Sequence, residues 1–239
     1  MKIEIIRCLQ DNYSYIIIDK KTQSACVIDP SQPEPIIDFF KNKKIDLKYI
    51  LNTHHHYDHI GGNLELKKRF NSKVIGYQGD KNRIPGIDIL LKNNEIWKKD
   101  NFEAKIYHIP GHTTGHIAFH FFKEKKLFTG DTLFSLGCGR IFEGTYKQMF
   151  NSLKKIKDLP KDTEIFCGHE YTLQNSKFCL ANDPDNFQLK KKIKIIREKI
   201  KNNLPTIPSV LSDELECNIF LKAKDIESFS KLRDLKDNF

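Results

Sequence analysis

The chain has 239 residues, 39% of them apolar, and a formal net charge of +9. That length holds one large core, or one domain with a smaller appendage. No apolar run approaches the ~20 residues a bilayer-spanning helix needs, so no membrane partner is expected. The start, Met1-Lys2-Ile3-Glu4-Ile5-Ile6, alternates like a first strand and does not read as a signal peptide. Six cysteines are scattered without a CxxC pair; they read as reduced thiols and predict a cytoplasmic protein. The lysines run along the whole chain, often beside Asp or Asn, with no repeated aromatic interleaving. They read as a solvated surface rather than a nucleic-acid face, and the positive field suits a small anionic substrate.

Residues 3–9, 14–18 and 25–29 are β-branched-rich runs separated by turn signals, and predict an antiparallel meander. Ile36, Ile37, Phe39 and Phe40 recur at helical spacing within 34–43. Residues 48–52 return as a strand, 63–70 as a short helix and 73–77 as another strand. Short strands are predicted at 89–91, 105–109, 117–122, 126–129 and 164–167, with a helix over 147–157. Beyond about residue 170 the pattern turns helical. Leu189, Ile193, Ile196, Ile200 and Leu204 form an apolar stripe whose other faces are basic, a stripe expected to pack on the core. Asp225 reads as the N-cap of a last helix with Ile226, Phe229, Leu232 and Leu235 on its buried side. Strands first and helices last predict a mixed α/β (α+β) core with a helical C-terminal part.

The chemistry concentrates in Thr53-His54-His55-His56-Tyr57-Asp58-His59. In an extended segment His54 and His56 face one way and His55 the other. Asp58 and His59 follow in the turn, which suits two metal ions better than one. Three later sites sit where predicted strands end, each with a glycine just before the candidate ligand: Gly111-His112, Gly130-Asp131 and Gly168-His169. Glycine there lets the backbone turn sharply. His54, His56 and His112 supply three imidazoles for one ion. Asp58, His59 and His169 supply two imidazoles and a carboxylate for a second, and Asp131 bridges both. Divalent first-row metals accept this all-N/O set. His108 and His120 lie within strand runs and read as non-ligands. His116 stands apart as a residue that orients a ligand.

The stretches THHHYDH, PGHTTGH, GDTLF and CGHEYT, in this order, resemble the metallo-β-lactamase superfamily. Within it the chain resembles the glyoxalase II, or hydroxyacylglutathione hydrolase, branch. Leu9-Gln10-Asp11-Asn12-Tyr13-Ser14-Tyr15, the loop from Phe134 to Gly144, and Leu232-Arg233-Asp234-Leu235-Lys236 carry that narrower likeness. The resemblance implies an αββα sandwich over 1–168 and a helical glutathione-binding domain over 169–239. It implies two divalent ions per chain, zinc first, with iron or manganese as alternatives. It maps the metal ligands onto His54, His56, Asp58, His59, His112, Asp131 and His169, with Asp58, His59 and Asp131 as catalytic groups. It maps glutathione contacts onto Arg140, Phe142, Tyr171, Arg233 and Lys236. Two departures stand out: Phe142 where the family usually has Tyr, and Arg140 where Lys is common.

The implied activity is hydrolysis of S-(2-hydroxyacyl)glutathione, S-D-lactoylglutathione above all, to a 2-hydroxy acid such as D-lactate and glutathione, in methylglyoxal detoxification. A metal-bridging hydroxide attacks the thioester, and the thiolate, with a pKa near ~8.5, leaves without a strong general acid. The expected protein is a monomer with no nucleic-acid partner. The rival readings are a phosphodiesterase or nuclease, a β-lactamase, or a one-iron persulfide dioxygenase on the same scaffold. A non-catalytic binding module is the rival from another class, and an intact ligand set argues against it.

Overall fold

Apolar alternation and β-branched runs put seven strands into the first hundred residues. The computed structural model describes all residues, Met1–Phe239, in two compact units: Met1–His108 with Gly115–Glu124, and Ile109–Thr114 with Lys125–Phe239.

In the first unit, β1 (Lys2–Cys8), β2 (Asn12–Ile18) and β3 (Ser24–Ile28) form the predicted antiparallel meander. The chain then crosses through helix α1 (Pro33–Phe40), whose Pro33 stands in the first turn, where its missing N–H costs nothing. Strand β4 (Asp46–Leu51) lies parallel to β3. A short helix α2 (Tyr57–Ile60) and helix α3 (Asn63–Phe70) lead to β5 (Lys73–Tyr77) and β6 (Ile87–Leu91), both parallel additions to the sheet. One face of this six-stranded sheet packs Ile16, Ile18, Val27, Leu47, Ile50 and Val74 against Ile36, Ile37, Phe40 and Leu66 of the helices. Three more strands pair antiparallel in turn: β7 (Ile96–Lys99), β8 (Phe102–His108) and β9 (Ile117–Phe121).

In the second unit, β10 (Lys126–Gly130) is followed by a tight hairpin, β11 (Leu133–Phe134) and β12 (Gly137–Cys138). Helix α4 (Tyr146–Lys157) starts with a capping box between Thr145 and Gln148. Strand β13 (Glu164–Cys167) lies parallel to β10. Then come α5 (Thr172–Asn182), α6 (Phe187–Lys201), the two-residue β14 (Ser209–Val210), α7 (Leu211–Cys217), α8 (Ile219–Lys222) and α9 (Ile226–Asp237). No helix is long and apolar enough to cross a membrane.

Two helix predictions need correcting. The basic amphipathic helix buries Leu189, Ile193 and Ile196 as expected, but it ends at Lys201, so Leu204 lies beyond it and is exposed. In α9 Asp225 is the cap, closing a capping box with Ser228. The buried residues there, however, are Phe229 and Arg233, while Ile226 and Leu235 are exposed. Arg233 takes a buried position because its guanidinium finds partners: Nη1 donates to the carbonyl of the buried Cys138 at 2.7 Å and Nη2 pairs with the partly exposed Asp237 at 2.8 Å.

Candidate metal centre

The first unit gathers the opening histidine run around one buried carboxylate. The chain leaves β4 in a bend at Thr53 and His54, so the run is less extended than its spacing predicts, while His56, just before α2, keeps an extended backbone. Asp58 and His59 therefore stand on a helical turn, not in a loop. The ring of His54 lies 4.7 Å from that of His56 and 4.2 Å from that of His59. His55 faces elsewhere, with Nδ1 3.5 Å from the buried Asp80 carboxylate. His116 is buried and stacks nearly parallel on His54 at 4.6 Å. A side chain on Gly115 would overlap the Asp80 carboxylate, so the loop before His116 fits only with glycine there.

Two supports of this cluster escape motif reading. Asn12, in the Asp-Asn-Tyr stretch, donates from Nδ2 to the Asp58 carboxylate at 2.9 Å and to its carbonyl at 3.1 Å. Asp29, at the end of β3, is 2% exposed and holds φ +48, a left-handed backbone that Asp tolerates better than most residues. Its carboxylate accepts from the Thr53 N–H at 2.7 Å, the Thr53 hydroxyl at 2.6 Å and His59 Nδ1 at 3.1 Å. Asp29, His54 and His59 lie close enough to hold an ion. Those hydrogen bonds commit the Asp29 carboxylate, so it is a support and not a ligand. The only advance sign of it was an Asp closing the predicted strand over 25–29.

The second unit gathers the other candidates around Asp131. Gly130 takes φ +46, so the backbone turns there in a conformation only glycine adopts cheaply, as predicted. At Gly168 no positive φ occurs, and the expected glycine-driven turn is absent. Asp131 Oδ2 lies 3.2 Å from His169 Nε2 and 3.6 Å from His112 Nε2. The other nitrogen of His112, Nδ1, donates to the Arg140 carbonyl at 2.8 Å, leaving Nε2 as the basic atom beside Asp131. The loop can deliver that carbonyl because Gly139 passes over Asp131, where a Cβ would overlap the Asp131 carbonyl oxygen.

Around these three stand the predicted substrate residues. Tyr171 lies flat on His169 at 4.7 Å and packs edge-on to Phe134 at 5.3 Å. Phe142 is exposed and tilts its ring against His112 at 5.2 Å. The exposed Arg140 side chain reaches Asp237 at 3.3 Å, the same carboxylate that pairs with Arg233. Arg233 is thus buried in the frame of the site rather than at a solvated helix end. Lys236, half-buried, rests over the rings of Phe178 and Phe239, each at 5.4 Å. Burial, and then the neighbouring Arg233, hold its pKa below the usual lysine value. Glu170 of the CGHEYT stretch accepts from the backbone and hydroxyl of Thr206 at 2.9 and 2.6 Å, so it anchors the chain after His169.

His120 is the clearest non-ligand. Burial first, and Lys105 second, push its pKa down to about 4, so it stays a neutral core histidine. His108 stacks on Tyr77 at 4.5 Å, away from the cluster residues.

Each unit thus presents imidazoles and carboxylates at hydrogen-bonding range of one another, a donor set of the kind that binds divalent metal ions. Comparison with known proteins agrees. Residues 9–89 and 100–169 match the model of the metallo-beta-lactamase superfamily, and residues 170–239 match that of the hydroxyacylglutathione hydrolase C-terminus. A hydroxyacylglutathione hydrolase of Pelagibacter ubique is 67% identical over the full length of both chains. Another, from Methylococcus capsulatus, is 39% identical, covering 100% of this chain and 99% of its own. Among solved structures, ETHE1 from Myxococcus xanthus superposes with a TM-score of 0.75 at 21% identity, covering 98% of this chain and 90% of that one. The BLEG-1 B3 metallo-beta-lactamase does so with 0.73 at 22%, covering 93% and 100%. The fold is that of the metallo-β-lactamases.

Proposed function

The chain belongs to the hydroxyacylglutathione hydrolase family, and from that premise we propose that it hydrolyses S-(2-hydroxyacyl)glutathione, S-D-lactoylglutathione above all, to D-lactate or a similar acid and glutathione. The observation that carries the reading is a donor set in which His59 and His112 already commit Nδ1 to a carboxylate and a carbonyl, so that Nε2 is the basic atom of each. In this proposal His54, His56 and His112 serve one divalent ion, and Asp58, His59 and His169 the other. Asp131 serves both. The absence of thiolates suits zinc, iron or manganese, with zinc the first candidate. Bound there, two such ions would supply an activated water at neutral pH and would draw charge from the thioester carbonyl.

The remaining steps fall to side chains. Asp58, held by Asn12, orients the attacking oxygen. Tyr171 and Phe142 give the substrate an aromatic border. Lys236, whose ammonium rests over two aromatic rings, receives a carboxylate of the glutathione. Arg233, committed to Cys138 and Asp237, holds that pocket in shape. Of the glutathione contacts mapped onto Arg233 and Lys236, this reading gives the direct contact to Lys236 and the supporting role to Arg233. Arg140 supplies a second positive charge near the same end of the substrate. Residues 1–168 make the catalytic part and 169–239 the glutathione-binding part. Six buried free cysteines fit a reducing, cytoplasmic setting. We place the enzyme there as a monomer acting in methylglyoxal detoxification.

Parallel assays on S-D-lactoylglutathione, a cephalosporin and a phosphodiester test the assignment. Thioester turnover is expected; cleavage of the phosphodiester alone would overturn it. Lys236→Ala should raise KM about tenfold or more and change kcat less, since a charge-assisted contact to a remote substrate group contributes roughly 1.5–3 kcal/mol. An unchanged KM removes Lys236 from the binding site.

A further inference from the structure

The hydrogen bonds of Asp29 extend one step further than His59. Its Oδ2 receives the Thr53 hydroxyl at 2.6 Å, and the same hydroxyl oxygen lies 3.1 Å from His54 Nδ1. A hydroxyl has one proton. Thr53 gives that proton to Asp29, because an ionised carboxylate only accepts. The remaining contact therefore runs the other way: His54 Nδ1 carries a proton and donates it to the Thr53 oxygen. On the other side His59 Nδ1 donates to the same Asp29 oxygen at 3.1 Å. One carboxylate thus fixes the tautomer of two histidines, one directly and one through a hydroxyl. All of the atoms concerned are deeply buried: Asp29 is 2% exposed, Thr53 and His54 are 0%, and His59 is 1%. Little water competes for these bonds. Asp29 is itself pinned, its N–H donating to the Leu51 carbonyl at 2.9 Å and its carbonyl accepting from Ser14 Oγ at 2.7 Å.

We infer that Thr53 is a positioning residue for one of the two proposed metal sites only, while Asp29 positions a ligand of each. The inference rests on the assignment of His54 and His59 to different ions. Thr53 bonds His54 alone among the ligands, so losing its hydroxyl should release one histidine from its tautomer and leave the other held. Losing the Asp29 carboxylate should release both. Groups that orient a metal-bound histidine from behind typically carry 10–100-fold in metal affinity.

The test is competitive zinc binding by the full-length chain against a chelator of known affinity, for wild type, Thr53→Val, Thr53→Ser and Asp29→Asn. Valine keeps the branched shape and removes the hydroxyl; serine restores it. Nitrogen-15 NMR of the histidine rings reads the tautomers directly, without reference to activity. The expected result is two zinc ions in wild type and one site weakened about 10–100-fold in Thr53→Val. Thr53→Ser should recover it, and Asp29→Asn should weaken both sites. In Thr53→Val the His54 Nδ1 proton signal should lose its hydrogen-bonded shift while that of His59 is kept. Two equally tight zinc ions in Thr53→Val, or equal weakening of both, would overturn the relay and leave the proposed function standing. Fewer than two zinc ions in wild type would overturn the dinuclear reading and the relay with it.

Discussion

Asp131→Asn is expected to cost on the order of a thousandfold in thioester hydrolysis, because stabilisation by bound metal is worth several kcal/mol and each ~1.4 kcal/mol is tenfold. Asp131 Oδ2 lies within 3.6 Å of the Nε2 of both His112 and His169. The amide that replaces it has the same shape but no negative charge to set against two dications. Metal content should fall with activity, and circular dichroism should show an unchanged fold. Full activity in this variant would mean that Asp131 is not a ligand.

Glu214→Ala should destabilise the fold by about 3–5 kcal/mol, the usual consequence of removing one partner from a buried ion pair. The Glu214 carboxylate is fully buried. It accepts from Lys192 Nζ at 2.9 Å, the Leu136 N–H at 2.7 Å and Asn218 Nδ2 at 3.1 Å. Asn218 in turn donates to the Gly137 carbonyl at 3.1 Å. Glu214 therefore joins α6 and α7 to the β11–β12 hairpin that leads into the Arg140 loop. Without it Lys192, whose side chain is 14% exposed, keeps a charge with only Asp213 near, at 3.7 Å. Denaturant unfolding measures the loss; a change under 1 kcal/mol would show that water replaces the carboxylate. Burial alone would lower the Lys192 pKa, but Glu214, with a smaller contribution from Asp213, offsets it and holds it above the ordinary lysine value. The pair's contribution is thus fully present below that ordinary value and fades only as pH rises through the raised one.

Much of this architecture was legible from residue pattern. The meander β1–β3 alternates cleanly, and α4 and α9 carry their capping residues in the sequence. The ligand candidates were legible because four histidines and an aspartate within six positions have no ordinary structural use. The supports were not, since an orienting group is recognised by what it touches. Asn12 and Asp58 are 46 positions apart, and Asp29 and His59 are 30 apart. Helix α5 was missed for another reason: it buries Asn175 and Ser176 beside Phe178 and Cys179, which blurs its apolar stripe. The burial of Arg233 was hidden for the same reason as the supports: its partner, the carbonyl of Cys138, lies 95 positions earlier.

Seven side chains from four motifs are proposed to hold two divalent ions. X-ray diffraction from zinc-loaded crystals, recorded on both sides of the zinc absorption edge, locates such ions without reference to activity. The prediction is two anomalous peaks roughly 3.5–4 Å apart, one among His54, His56 and His112, the other among Asp58, His59 and His169, with Asp131 between them. A single peak in crystals of enzyme that hydrolyses S-D-lactoylglutathione at full rate would contradict it.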